Sequence, residues 1–191
     1  MFKLEKIVVK LEDSLNRVNF IFKNEEITTE CIDDYNRFSI LGSSFGPFEK
    51  GEKYNLPFFV ALSLIENNIL KIAINEKCDN VDVQRYAISE RDNQMLLRRE
   101  NLYFLNKIKE FKFFIEKEVE EKSKPKLNLD RFTSYSTNIV DSRLLKLLKL
   151  AKSNLSVEDE RRLTSSEMIL FNKLSELIKC WRTFFLNINR N

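Results

Sequence analysis

The chain contains few of the side chains that usually carry enzyme chemistry. Histidine, the commonest general base and metal ligand, is absent from all 191 residues. The three cysteines, Cys31, Cys78 and Cys180, are far apart and form no CxxC pair, which predicts buried thiols in a reducing compartment rather than a zinc site. We therefore expect no catalytic residue, no metal ion and no cofactor, in a protein that is not an enzyme.

Two pairs of neighbouring acidic residues are the nearest approach to a catalytic or metal-binding group. Glu25-Glu26 and Asp33-Asp34 supply carboxylates of the kind that acid–base catalysis uses. No nucleophile or histidine accompanies either pair, so solvated loop charge is the favoured interpretation of both.

A strip of basic residues on a predicted helix is the main candidate for nucleic-acid binding. Arg143, Lys146, Lys149 and Lys152 have the spacing of one helix face and could contact DNA phosphates. The net charge of +3 is small against 32 basic and 29 acidic side chains, so the composition does not by itself indicate a nucleic-acid binder. A DNA-binding module that uses this strip, with weak DNA contact, is the alternative function.

Glycine and proline are concentrated in one segment. All three glycines and two of the three prolines lie between Gly42 and Pro57. The glycines lack the spacing of a phosphate-binding P-loop, and no Gly-Lys-Ser/Thr follows them. We expect an elaborate structural turn here, followed by a short helix over residues 58–66 that begins after Pro57.

The residues around this segment are typical of short strands. Runs rich in β-branched and aromatic residues favour strands, and an alternating run follows the short helix. The predicted strands are Lys6–Leu11, Val18–Phe22, Ile27–Cys31, Arg37–Leu41 and Ile69–Ile74. Residues 1–80 are therefore predicted to form a small β-rich domain.

From residue 81 onward the apolar spacing becomes helical. Apolar residues recur every three or four positions, at Leu97, Phe104, Ile108, Phe111 and Ile115. A shorter leucine-rich helix is predicted next, with Asp141 as its N-cap or first-turn acid. Leu144 and Leu148 belong to its apolar face. Residues 81–191 are predicted to form an all-α bundle, which makes the fold class α+β.

The last helix has the clearest pattern. Thr164 and Glu167 have the spacing of a capping box. Two neighbouring apolar rows follow, and together they are wider than one partner helix covers. We therefore expect part of this face to contact another subunit. The first row is Phe171, Leu174, Ile178, Trp181, Phe185 and Ile188, and the second is Leu170, Leu177 and Phe184.

The sequence also bears on location. No apolar run approaches the ~20 residues that a membrane-spanning helix needs. Charged residues occupy the N-terminal segment where an export signal would be apolar. The expected location is the cytoplasm.

Several short motifs resemble those of the GINS subunits of the replicative helicase machinery. Gly46-Pro47-Phe48 and Gly51, followed by Leu56-Pro57 and an apolar run, are similar to the family's turn before a proline-started helix. Asp141-Ser142-Arg143 is similar to an aspartate–hydroxyl–arginine element of a central helix. Leu163-Thr164 with Glu167 is similar to the start of the last long helix. The resemblance extends from about Ile40 to Phe185.

The resemblance implies a fold, partners and roles for particular residues. A small B-domain before a helical A-domain is the order of the second and third eukaryotic subunits and of the archaeal 2/3-type subunit, and an archaeal protein standing in for both fits best. The implied function is a replication scaffold at replication forks, near the nucleoid. Its implied partners are a second GINS-type subunit of opposite domain order, in a heterotetramer, the MCM helicase and a RecJ-like or Cdc45-type protein. The match at Arg143 implies a buried ion pair.

Overall fold

A computed structural model of the protein describes residues 2–186. It combines helices with a small sheet, consistent with the α+β class. The chain divides into two compact units. The strand-containing unit comprises Phe20–Lys77, and the helical unit comprises the residues up to Asn19 together with those from Cys78 onward. The predicted division into 1–80 and 81–191 differs from this mainly in residues 1–19.

The first helix replaces two predicted strands. Helix α1 spans Phe2–Lys23, so the strands predicted over Lys6–Leu11 and Val18–Phe22 are wrong. Leu11, Leu15, Val18 and Phe22 recur every three or four residues and are the least exposed apolar positions among residues 8–23. This helical spacing outweighs the strand preference of the β-branched residues around Val8, because strand propensity depends on packing context.

The strand-containing unit holds an antiparallel sheet and a separate hairpin. Strands β1 (Glu26–Cys31), β4 (Lys53–Pro57) and β5 (Leu70–Ile72) form a sheet in the order β4-β1-β5. Ile27, Thr29 and Cys31 of β1 are buried on one face, as period-two alternation requires. Strands β2 (Phe38–Ile40) and β3 (Ser43–Phe45) form the hairpin. The predicted strands over 27–31 and 37–41 are confirmed, whereas β3 and β4 were not predicted.

The glycine- and proline-rich segment forms the hairpin turn and leads into a helix. Leu41 and Gly42 both have positive φ, the geometry of a two-residue type I′ turn. A Cβ atom on Gly46 would lie 2.9 Å from the ring of Phe48, so only glycine fits there. Helix α2 (Phe58–Glu66) begins directly after Pro57, which confirms the prediction for this helix.

The helical unit is organised around one long helix. After a 3₁₀ turn at Ile74–Glu76 in the other unit, the helices are α3 (Asn80–Asp92), α4 (Phe104–Glu120), α5 (Lys126–Leu150), α6 (Val157–Glu160) and α7 (Ser165–Leu186). Helix α5 packs against α3, α4 and α7. Its most buried residues are Phe132, Ile139, Arg143 and Leu147. None of the helices in residues 2–186 is long and apolar enough to cross a membrane.

Two predictions about these helices are wrong. Leu97 lies in the non-helical segment of residues 93–103, between α3 and α4, and therefore does not belong to the helical row that begins at Phe104. Asp141 is an exposed residue in the middle of α5 and caps nothing. Pro125 occupies the N-cap position of α5 instead, because proline is tolerated at a helix start but not in its interior.

Candidate functional site

A buried cluster of charged side chains lies at the centre of the helical unit. Arg143 on α5 is 1% exposed, Glu90 on α3 is 0% exposed, and Glu167 on α7 is 2% exposed. Residues of this type are almost never fully buried unless they are paired. Arg99, from the segment between α3 and α4, and Lys146 on α5 complete the cluster. We refer to these five residues as the Arg143 cluster.

The guanidinium of Arg143 uses every donor it has. Its Nε and Nη2 bind the two carboxylate oxygens of Glu167, with 2.8 Å between Nη2 and Oε2. Nη1 donates to Glu90 Oε2 at 2.9 Å and to the carbonyl of Leu97 at 3.1 Å. Nη2 also donates to the carbonyl of Arg162 at 3.1 Å. These are five hydrogen bonds for the five N–H groups of an arginine side chain.

Glu90 is the second centre of the cluster. Its carboxylate accepts from Arg143, from Arg99 Nη2 at 2.6 Å and from Lys146 Nζ at 2.8 Å. Lys146 also donates to the Glu90 carbonyl at 2.6 Å. The guanidinium of Arg99 lies over the rings of Tyr86 and Phe104, at 5.2 and 4.7 Å from their centroids, which adds cation–π attraction.

The ionisation of the cluster follows from these contacts. Burial raises the pKa of Glu90, but the Lys146 hydrogen bond and the charges of Arg143 and Arg99 outweigh it, so the net pKa is lowered. Burial lowers the pKa of Arg143, but the hydrogen bond and charge of Glu167 and the charge of Glu90 raise it overall. Both groups are therefore held in their charged forms.

Glu167 connects the cluster to the start of α7. Its Oε2 accepts from the Thr164 backbone N–H and from the Thr164 hydroxyl, each at 2.8 Å. In the predicted capping box, the Glu167 carboxylate accepts a hydrogen bond from the backbone N–H of Thr164, and this bond is present. The Thr164 hydroxyl donates to the same carboxylate. One carboxylate consequently binds both a helix start and the central arginine.

The structure separates the members of the predicted basic strip. Arg143 and Lys146 face inward, and their charges are paired with Glu90 and Glu167. Lys149 is exposed. A guanidinium with all five donors bonded to its own chain cannot also bind phosphate. Arg143 and Lys146 therefore act inside the protein, and of the four predicted residues only Lys149 and Lys152 are exposed where a DNA phosphate could reach them.

The predicted apolar face of α7 changes character along the helix. In its first half, Phe171 is buried, and Leu174 and Ile178 pack against a core that includes Leu147 and Leu163. In its second half, Trp181, Phe184 and Phe185 are 65%, 78% and 58% exposed. Ile188 lies outside the described residues. We call the three exposed aromatic residues the α7 aromatic patch.

The aromatic rings of this patch contact one another. The centroids of Trp181 and Phe185 are 5.0 Å apart, and those of Phe184 and Phe185 are also 5.0 Å apart. On α5, Leu144 and Leu148 are 36% and 37% exposed. Clustered exposed aromatic residues mark interaction surfaces more often than single ones do.

The cysteines and the acidic residues are the other side chains that were candidates for catalysis or metal binding. Cys31 and Cys78 are buried, as predicted, but Cys180 is exposed in the C-terminal half of α7, so the prediction of a buried thiol is wrong there. Burial raises the pKa of Cys78 to about 12, so its thiol stays protonated at neutral pH and is a poor nucleophile. Within residues 2–186, no group of three or more cysteine, aspartate or glutamate side chains is arranged to hold a metal ion.

The predicted structural motif contains one buried ring, that of Phe48. Phe48 is 1% exposed, and its backbone pairs with that of Tyr35 in an isolated bridge. Its ring centroid is 4.9 Å from that of Tyr54 and 6.1 Å from that of Phe38. The turn therefore holds an aromatic cluster together.

Comparison of the sequence with models of known protein families finds no match, and neither does comparison with curated proteins.

Proposed function

We propose that this chain is a non-enzymatic scaffold subunit of a GINS complex, of the 2/3 type. The observation that carries the proposal is a contact between two of the motifs that resemble the family. Arg143 of the aspartate–hydroxyl–arginine element binds Glu167 of the last-helix element through both carboxylate oxygens. Two short motifs that mean little separately thus form one buried interaction.

The α7 aromatic patch supports a scaffold rather than an isolated globular protein. Tryptophan and other aromatic residues often carry most of the binding energy at protein interfaces. Trp181 and Phe185 were predicted as interface residues and remain exposed, whereas Phe171 belongs to the core of the chain itself. The interface proposed here is therefore the second half of α7, with Leu144 and Leu148 of α5 as further contacts.

The proposed mechanism is positional. The helical unit would bind a second GINS-type subunit of opposite domain order, in a complex with two copies of each. The complex would tether the MCM helicase to a RecJ-like or Cdc45-type protein at replication forks in the cytoplasm. The Arg143 cluster would contribute by fixing α3, α5 and α7 in one arrangement, so that the partner meets a preformed surface.

A mixing experiment tests this proposal. The chain and the candidate second subunit from the same organism are purified separately, combined, and analysed by size-exclusion chromatography with light scattering. We expect one heteromeric species larger than either protein alone. A chain that stays a well-folded monomer and does not bind the second subunit would contradict the proposal.

A further inference from the structure

An open groove lies wholly within the strand-containing unit. Its volume is about 790 Å³, within the ~300–1,000 Å³ typical of ligand-binding clefts. One wall is helix α2, through Phe59 and Ser63, and the other is the β2–β3 hairpin, through Phe38 and Ile40. This volume accommodates a short peptide segment but not a folded domain.

The groove is lined mainly by apolar side chains, and its hairpin wall is held in place by other aromatic rings. Phe38 packs against two other rings. Its ring centroid is 5.7 Å from that of Phe45 and 6.1 Å from that of Phe48. Phe48 is fully buried and follows Gly46, where a side chain would collide with its ring. The glycine- and proline-containing turn therefore supports the hairpin wall, so the groove is formed before any ligand arrives.

The charge of the groove has one sign. Asp33 and Asp34 lie at its edge, and no lysine or arginine is among the residues that line it. Asp34 is anchored, because its Oδ1 accepts from the backbone N–H of Lys50 at 2.6 Å. Both aspartates are exposed. An apolar groove whose charged lining residues are both acidic is complementary to an apolar group next to a positive charge.

We propose that this groove binds a peptide segment of a partner protein in which one or two bulky apolar side chains lie next to lysine or arginine. The apolar side chains lie between Phe59 and the β2 residues Phe38 and Ile40. The basic residues pair with Asp33 and Asp34. This role does not depend on the scaffold function, since the groove lies wholly within the strand-containing unit.

Fluorescence anisotropy with three labelled peptides tests this inference on the full chain. The first peptide contains Leu-Phe-Lys-Arg between Gly-Ser flanks. The second replaces Lys-Arg by Glu-Glu, and the third replaces Leu-Phe by Ala-Ala. We expect only the first to bind, and its affinity to fall as salt rises, because exposed ion pairs are screened.

Matched variants locate the binding. D33N/D34N should lower the affinity for the first peptide about three- to tenfold, because two exposed ion pairs are lost. E25Q/E26Q makes the same charge change at the other exposed acidic pair of this unit, outside the groove, and should leave the affinity unchanged. S63W fills the groove from an exposed position and should abolish binding, with circular dichroism confirming that each variant folds.

Several results would overturn the inference. The inference is wrong if the first peptide does not bind at millimolar concentration. It is also wrong if all three peptides bind equally. Equal effects of D33N/D34N and E25Q/E26Q would show that net charge, not the groove, attracts the peptide. Because co-assembly with a second subunit is measured separately, either proposal can fail without the other.

Discussion

Arg143 is the residue whose replacement should cost the chain most. Its side chain makes five hydrogen bonds to Glu90, Glu167 and two backbone carbonyls. Removing one partner of a buried ion pair leaves an uncompensated charge and typically costs about 3–5 kcal/mol. We expect R143M to lower the free energy of unfolding by about that amount, measured by urea denaturation.

The control for this variant lies on the same helix. K149M removes a positive charge from an exposed position of α5 and should change stability by less than ~0.5 kcal/mol. If R143M unfolds at the same urea concentration as the wild type, the buried cluster does not hold the helices as described.

The lowered pKa of Glu90 makes the stability of the chain depend on pH. Its pKa is lowered from 4.5 in the folded chain, so near that pH the folded state binds fewer protons than the unfolded state. Its contribution is complete above pH 4.5 and is lost as the pH falls through the lowered pKa. In E90Q, stability should be lower at pH 7, and its decline below about pH 5 should be shallower.

Thermal denaturation at a series of pH values checks this prediction. E120Q, which alters an exposed glutamate of α4, should reproduce the wild-type decline. An E90Q curve parallel to that of the wild type through the acid range would contradict the assigned role of Glu90.

At the scale of elements, α7 combines two functions along its length. Its first half completes the core through Phe171, and its second half presents the aromatic patch. We expect the triple variant W181S/F184S/F185S to fold with nearly wild-type stability, because exposed substitutions usually change it little. It should lose binding to the second subunit by at least about tenfold, since aromatic anchors each contribute ~2 kcal/mol or more at interfaces.

Binding and stability are measured on the same preparations. L127S removes an apolar side chain that is 52% exposed at the start of α5, and it should bind the second subunit normally. A triple variant that binds as well as L127S would show that the α7 aromatic patch is not the interface.

The elements also show what the sequence could reveal. The run from Ile27 to Cys31, with its β-branched residues, predicted β1, and Pro57 predicted the start of α2, because both signals are local. The run around Val8 suggested a strand, yet α1 is a helix, because packing of Leu15 and Val18 decided the conformation. The start of α5 was placed too late, since Asp141 was taken as its cap or first-turn acid, whereas the helix begins after Pro125.

The candidate site, the Arg143 cluster, could also be predicted only in part from the sequence. The family resemblance implied a buried ion pair at Arg143, but Glu90 is 53 residues away in sequence, and nothing local indicates that pairing. The leucines around Lys146 suggested an outward-facing basic strip. Only the fold shows that Glu90 on α3 pairs with two members of the strip, Arg143 and Lys146.

At the scale of the whole molecule, the chain separates its proposed roles between two units. The helical unit contains the Arg143 cluster and the α7 aromatic patch, and the strand-containing unit contains the acidic-edged groove. A scaffold needs at least two binding surfaces, and a preformed apolar surface and a preformed groove satisfy that requirement without a catalytic group.

We propose that the chain functions within a heteromeric GINS-type assembly. The most direct measurement is the native mass and composition of the complex that co-purifies with a tagged copy from its own cells. We expect a complex well above the 22.7 kDa of one chain, containing equal numbers of this chain and a second, distinct subunit. Recovery of the tagged chain alone, as a monomer of that mass, would contradict it.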